Sequence, residues 1–303
     1  MQPVEIDAYH IDKALVRASF NRAANTYDAA AVLQKLVQSE MLSRLDLVKI
    51  KPKAILDAGC GTGHGSFELQ RRYRNAQVFS LDIALGMLQK TRLQQPYLRR
   101  LLSAEKLICA DIESLPIADN SMGMVWSNLA LQWCNNLDAA FGEFARVLQP
   151  EGLIMFSTFG PDTLKELRAA TSSSKQMHGN THVSRFIDMH DIGDALIRSG
   201  FSAPALDVES YTLTYDDVKA VMTDLKNIGA HNATAGRNRG LAGKGFLQNL
   251  TQNYEQFRTG LKEDGGKLPA TFEVIYGHAW KAATKPLQED GYAPISFINK
   301  KLG

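Results

Sequence analysis

Three apolar runs in this chain each end in an aspartate, and the first is followed at once by alternating glycines. Ala54-Ile55-Leu56 leads into Asp57, then Ala58-Gly59-Cys60-Gly61-Thr62-Gly63. The second run is Val78-Phe79-Ser80-Leu81 before Asp82, and the third is Leu107-Ile108-Cys109-Ala110 before Asp111. A short apolar run closed by an acid and glycines is a buried strand feeding a tight turn into a helix. Glycine there also lets a ligand lie against bare backbone. The spacing G-x-G-x-G brings the third glycine one residue too early for the dinucleotide pattern, and no Gly-Lys-Ser/Thr follows to make a phosphate loop.

The rest of the chain repeats that strand-and-helix rhythm. Met124 to Asn128 reads as a fourth strand, and Leu153 to Ser157, after Pro150-Glu151-Gly152, as a fifth. Helices are expected at 65–73, 86–93 and 137–148. Strands separated by single helices imply right-handed crossovers and a sheet covered on both faces. Ahead of the sheet, residues 1–50 read as an N-terminal helical arm belonging to the same domain. Asp12 to Ala24 forms one helix, Tyr27-Asp28 a break, and Leu33, Val37, Met41 and Leu45 the buried stripe of a second helix. Beyond the fifth strand, 206–213 alternates like a strand, and 271–276 reads as a last strand. Helical stretches within about 160–200 and 215–262 are expected to lie over the ligand edge. The expected fold is α/β: a doubly wound, mostly parallel seven-stranded sheet spanning residues 51–303.

Composition removes several functions. A formal net charge of +2 over 303 residues gives no general attraction for nucleic acid. No apolar run approaches the roughly 20 residues of a membrane span. The opening MQPVEIDAYH has acids where a signal peptide needs an apolar segment. Cys60, Cys109 and Cys134 show neither CxxC nor Cys/His spacing, so no metal site is expected. They read as reduced thiols of a cytosolic protein.

The acids narrow the ligand. A pyrophosphate is repelled by carboxylates, whereas one carboxylate accepts both hydroxyls of a free ribose. Asp82 stands where the ribose acid of such folds belongs. Asp111 is placed to accept the exocyclic amine of adenine with Ile112 against the ring, and Asp57 to add negative potential near a cationic end. S-adenosylmethionine, an adenosine with a sulfonium and an ammonium but no phosphate, satisfies all three. Nicotinamide dinucleotide is the nearest rival, and the glycine spacing speaks against it.

DAGCGTG at 57–63, LD at 81–82, ADIESLP at 110–116 and RVLQPEGLIMFS at 146–157 resemble the class I S-adenosylmethionine-dependent methyltransferases. More narrowly, FNRAANTYD (20–28), SNLALQWCNNL (127–137), FSTFGPDTLKELR (156–168) and LKNIGAHNAT (225–234) resemble the malonyl-[acyl-carrier-protein] O-methyltransferases of biotin synthesis. The likeness spans nearly the whole chain. It implies methylation of the free carboxyl of a malonyl thioester, with the acyl carrier protein or coenzyme A as its carrier. It implies donor contacts at Gly59, Gly61 and Gly63, at Asp82 with Ile83, at Asp111 with Ile112, and at Asn128 with Leu129. It also maps the active-site tyrosine to Tyr27 and the substrate arginine to Arg185.

The chemistry is consistent with what the sequence lacks. A carboxylate, with an ordinary pKa of roughly 4, is ionised at neutral pH and needs no general base. It needs an anion receptor, and arginine binds a carboxylate with two parallel hydrogen bonds. Trp133 and His231 read more readily as core packing and loop hydrogen bonding than as site residues. An acidic carrier protein calls for a basic docking surface, either Arg237, Arg239 and Lys244 or Arg71, Arg72 and Arg74. Other readings are a methyltransferase for a different small molecule and a non-methylating assembly factor or hydroxylase on the same fold.

Overall fold

The computed structural model describes residues 7–94, 106–172, 184–237, 244–260 and 266–283. Its centre is a seven-stranded sheet in the order β3-β2-β1-β4-β5-β7-β6. The strands are β1 (Ala54–Ala58), β2 (Gln77–Asp82), β3 (Lys106–Cys109), β4 (Met122–Asn128), β5 (Leu148–Phe159), β6 (Phe201–Tyr215) and β7 (Leu268–Lys281). The first five pair in parallel, and β7 runs antiparallel between β5 and β6. The order reverses beside β1, which pairs β2 on one side and β4 on the other. A ligand crevice opens at such a switch point, outside the carboxyl ends of the strands.

Strand periodicity explains how near-continuous apolar runs are buried. Ile55, Met124, Trp126, Leu153 and Met155 face one core, and Leu56, Val125, Ile154 and Phe156 face the other. Successive residues thus point to opposite layers, and both layers are covered. On the first face α3 (Val32–Arg44) lays down Leu33, Val37 and Met41, with Leu45 just beyond its end. On the second, α6 (Leu137–Val147) contributes Phe141 and Phe144. The later helices α7 (Lys165–Ser172), α9 (Val218–Asn227) and α10 (Lys244–Tyr254) add Leu167, Val221 and Tyr254 to the first core.

The N-terminal arm crosses the ligand edge of the sheet. Its helix α1 (Lys13–Ala23) begins where Asp12 accepts from the backbone N–H groups of Ala14 (3.0 Å) and Leu15 (3.2 Å). The Asn135 side chain accepts from Ile11 N (2.7 Å) and donates to Ile11 O (3.0 Å), completing the pairing a strand neighbour would give. Lys13 then pairs with Asp111 (3.0 Å) and Glu113.

Several boundaries differ from the sequence reading. The break at Tyr27-Asp28 is a single helical turn, α2 (Tyr27–Ala30). Helices α4 (His64–Arg72) and α5 (Leu85–Gln94) each start one residue early, and α8 occupies Met189–Arg198. β6 and β7 are about twice the expected length. β7 is buried on both sides for most of its run, so Pro269, Glu273 and His278 interrupt an alternation that a central strand does not need.

Candidate active site

At the end of β1 the chain turns through Gly59, Gly61 and Gly63, with φ of +85°, +55° and +88°. A Cβ on Gly59 would stand 2.3 Å from Ala130 Cβ, and one on Gly63 would stand 2.4 Å from Thr91 Cγ2. Conformation and space therefore both require glycine at those two positions. Asp82 braces the turn. Its Oδ2 accepts from Gly61 N at 2.9 Å and its Oδ1 from Ala84 N at 2.8 Å. Each oxygen keeps a further acceptor position. Below the turn Asp57 accepts from Ser66 Oγ at 2.6 Å, and Ser66 accepts in turn from Ser80 Oγ at 2.7 Å.

Burial sets the charge state of these acids. It pushes Asp57 up to about 7, against the Ser66 hydrogen bond and with the Asp82 charge adding to the rise. It pushes Asp82 up to about 6, against the hydrogen bonds from Ala84 and Gly61. Two buried carboxylates beside one turn are better ionised when a cation lies over them.

Two cavities meet at this turn. One, with about 620 Å³ of open space, has apolar walls from Phe20, Ile83, Met87, Ile112, Leu129 and Trp133. The other, about 450 Å³, is lined by Tyr27, Gln34, Gln38, Asp57, His64 and Trp126 among others. Tyr27, Gly59, Gly61 and Asn128 belong to both. The Tyr27 phenol lies over Gly61. Burial first, then the charges of Asp82 and Asp28, raises its pKa above the ordinary value, so it is protonated at neutral pH. Asn128 links the sheet to the arm: its Nδ2 donates to Gln34 O (3.0 Å) and its Oδ1 accepts from Ser157 Oγ (2.8 Å). Leu129 follows at φ +48°, its N–H shared between Ser157 O (3.1 Å) and Oγ (3.0 Å).

Asp111 sits beside the cavity wall, with one carboxylate oxygen engaged. Its Oδ1 accepts from Lys13 Nζ and from Glu113 N, and the cavity wall at this level is Ala110 and Ile112. The ammonium of α1 thus pairs with one oxygen of the carboxylate at the edge of this cavity. Lys13, Val16 and Phe20 were missed as wall residues. Their i, i+3, i+7 spacing was the available signal, one helix stripe facing the cavity.

Arg185 lies elsewhere. It is exposed and lines an outer cleft of about 1660 Å³ together with Gln132, Thr158, Arg168 and Phe186. Tyr27 is not part of that cleft, so the structure does not bring the two expected catalytic residues into one cavity. Arg168, unremarked in the sequence, donates to Pro161 O (2.8 Å) and Thr163 O (2.9 Å) at the same cleft. A fourth, largely apolar chamber of about 1150 Å³ includes Phe159, Leu167, Met222, Leu225, His231 and Phe272. The turn Leu131–Trp133 and Cys134 form the partition. Trp133 faces the donor-side cavity and the apolar chamber, Cys134 that cavity and the cleft, and Gln132 the cleft and the chamber. Trp133 and His231 thus both line open space.

The basic clusters separate by position. Arg71 and Arg72 close α4, which starts at the ligand edge and runs back to the opposite edge, and they pair with Glu68 and Asp46. They are remote from the cleft mouth. Arg237 is bound to Thr234 O (2.9 Å) in the loop that pairs with Ile11. Arg239 and the side chain of Lys244 lie outside the described residues.

A mostly parallel sheet reversed beside β1, with a glycine turn over two buried acids at the switch point, is the fold of a methyltransferase, and the methyltransferase-domain family matches residues 56–156. A Bacillus halodurans protein assigned to the methyltransferases superposes with TM-score 0.55 at 16% identity, covering 81% of this chain and 99% of its own. A SAM-dependent methyltransferase of Thermotoga maritima gives TM-score 0.50 at 12% identity, covering 88% and 99%. Similarity in sequence is far closer. Malonyl-[acyl-carrier protein] O-methyltransferase of Methylovorus is 62% identical over 295 residues, 96% of each chain. That of Laribacter hongkongensis is 54% identical, covering 96% of this chain and 97% of its own. The chain belongs to the malonyl-[acyl-carrier protein] O-methyltransferase family.

Proposed function

We propose that this protein transfers a methyl group from S-adenosylmethionine to the free carboxyl of a malonyl thioester, with the acyl carrier protein as the carrier it meets. One observation carries the donor half: two buried carboxylates, Asp57 and Asp82, stand behind a glycine turn that has no lysine or arginine of its own. That arrangement suits a nucleoside bearing a cation and disfavours a pyrophosphate. The cavities fit such a donor. Asp82 can take ribose hydroxyls, Ile83, Ile112 and Leu129 can sandwich a base, and Tyr27 with Gly61 closes over the region between the cavities. When bound, the donor supplies a methyl group on a sulfonium, made electrophilic by its positive charge.

The acceptor carboxylate arrives ionised, so this chain's residues have to bind, align and dry it. Alignment of two reactants is worth roughly 7–11 kcal/mol of barrier. Tyr27, protonated at neutral pH, serves as a hydrogen-bonding wall and not as a base. Arg185, at the cleft, is the receptor we assign to the substrate carboxylate, and the apolar chamber behind Gln132 suits the uncharged remainder of a thioester. Because the product ester is neutral, an arginine holds the substrate and loses its ionic partner once the methyl is transferred. The names of the Methylovorus and Laribacter relatives support the malonyl-carrier substrate. Incubation with labelled donor and malonyl-carrier, succinyl-carrier or free malonyl-CoA tests this reading. Alkali-labile label is expected on the malonyl-carrier. Label on none of the three would reject the substrate.

A further inference from the structure

Among the buried side-chain polar atoms of the described residues, Gln34 Oε1 and Trp126 Nε1 have no hydrogen-bond partner. Both residues line the smaller of the two cavities at the glycine turn. Trp126 is fully buried in β4, opposite Asp57 of β1 in the sheet register. Leaving a buried donor or acceptor unmatched is costly, and a folded chain keeps such a pair mainly where something else completes it.

The two orphan atoms are of opposite kind. An indole N–H only donates, and an amide oxygen only accepts. Asp57 Oδ2, Trp126 Nε1 and Gln38 Oε1 stand 3.2, 3.5 and 3.6 Å from the position a Cβ would take on Gly65, so polar groups converge where that residue leaves room. The Gln38 amide nitrogen is engaged with His64 Nδ1 at 2.7 Å. This cavity shares Tyr27, Gly59, Gly61 and Asn128 with the apolar one, so a ligand whose adenosine fills the latter extends its far end here.

We propose that Gln34 and Trp126 are the receptor for the zwitterionic amino-acid end of the methyl donor. Gln34 Oε1 accepts from the ammonium, and the Trp126 indole N–H donates to the carboxylate. The inference deepens the donor-site reading and rests on it. It assigns specificity for an amino-acid-tailed adenosine to residues outside the glycine turn and its acids.

The test compares two ligands that differ only in that end: S-adenosylhomocysteine, which has it, and 5′-methylthioadenosine, which lacks it. Trp126→Phe and Gln34→Leu are each expected to weaken S-adenosylhomocysteine about 10-fold, the scale of one hydrogen bond to a charged group. Methylthioadenosine is expected to bind each variant as it binds the wild type. Equal losses for both ligands, or no loss for either, would overturn the assignment. A wild-type protein that bound neither ligand would instead overturn the donor-site reading beneath it. A second measurement needs no change at Trp126. The indole N–H resonance, assigned by replacing Trp133 and Trp280 in turn, should shift on adding S-adenosylhomocysteine to the wild type and stay put with methylthioadenosine. The same shift with both ligands would also count against the proposal.

Discussion

The glycine turn and the outer cleft of this protein are built in opposite ways. Around the glycine turn the acids are buried and bonded to neighbours: Asp82 to Gly61 and Ala84, Asp57 to Ser66. At the outer cleft, Arg185 is exposed, and the walls come from the β4 exit, the β5 exit and the segment before α8. One region is braced by buried hydrogen bonds. The other is open to solvent at Arg185. The difference teaches that one sheet can carry both a turn fixed by buried hydrogen bonds and an open cleft lined by exposed charge.

The largest expected break of that contrast is at Asp82. Asp82→Leu removes the acceptor for the N–H groups of Gly61 and Ala84, the latter buried and worth about 1–3 kcal/mol when left unsatisfied. Donor affinity should fall by about 100-fold or more, measured by calorimetry with S-adenosylhomocysteine. Arg185→Ala comes next. It should lower kcat/KM for the malonyl carrier by about 1.5–3 kcal/mol, the scale of a charge-assisted hydrogen bond, with donor affinity unchanged. Equal damage to both ligands in either variant would dissolve the division.

How far that division was legible depends on distance along the chain. The glycine turn and its acids were readable because strand, turn and acid are adjacent: Asp57 to Gly63 is one continuous stretch, and Asp82 repeats the strand-end pattern. The first five strands were readable for the same reason, as short apolar runs bounded by turns. β7 was under-read because a strand buried on both faces needs no alternation. The pairing of Asp111 with Lys13, 98 residues away, had no signal nearby in the sequence. Gln34 and Trp126 carried no signal. A glutamine beside an apolar stripe and a tryptophan in a strand look like surface and core until the fold sets them in one cavity.

Protonation sharpens the contrast further. The buried acids hold protons in the folded state that the unfolded chain, near the ordinary 3.8, has already released. Their contribution to stability is therefore complete below about pH 4 and is lost as pH rises through about 6 to 7. Denaturation of the free protein should show this decline, and Asp57→Asn should flatten it. A cationic donor favours the ionised acids, so its affinity should rise over the same window, with protons released on binding.

The smallest effect belongs to the docking surface. Arg237→Glu should weaken the malonyl carrier by about 0.2–1 kcal/mol at low salt and less at high salt, leaving free malonyl-CoA nearly unaffected. The same change at Arg71, on the far edge of the sheet, should do nothing to carrier binding.

The central claim is that this protein joins a methyl donor held at the glycine turn to the free carboxyl of a malonyl thioester. Its most direct measurement is mass analysis of malonyl-carrier protein after incubation with S-adenosylmethionine, wild type beside Arg185→Ala. The account predicts one added methyl per malonyl group, removed by alkali, formed fast by the wild type and slowly by the variant. Methyl transfer to another atom of the carrier, or an Arg185→Ala protein as fast as the wild type, would contradict it.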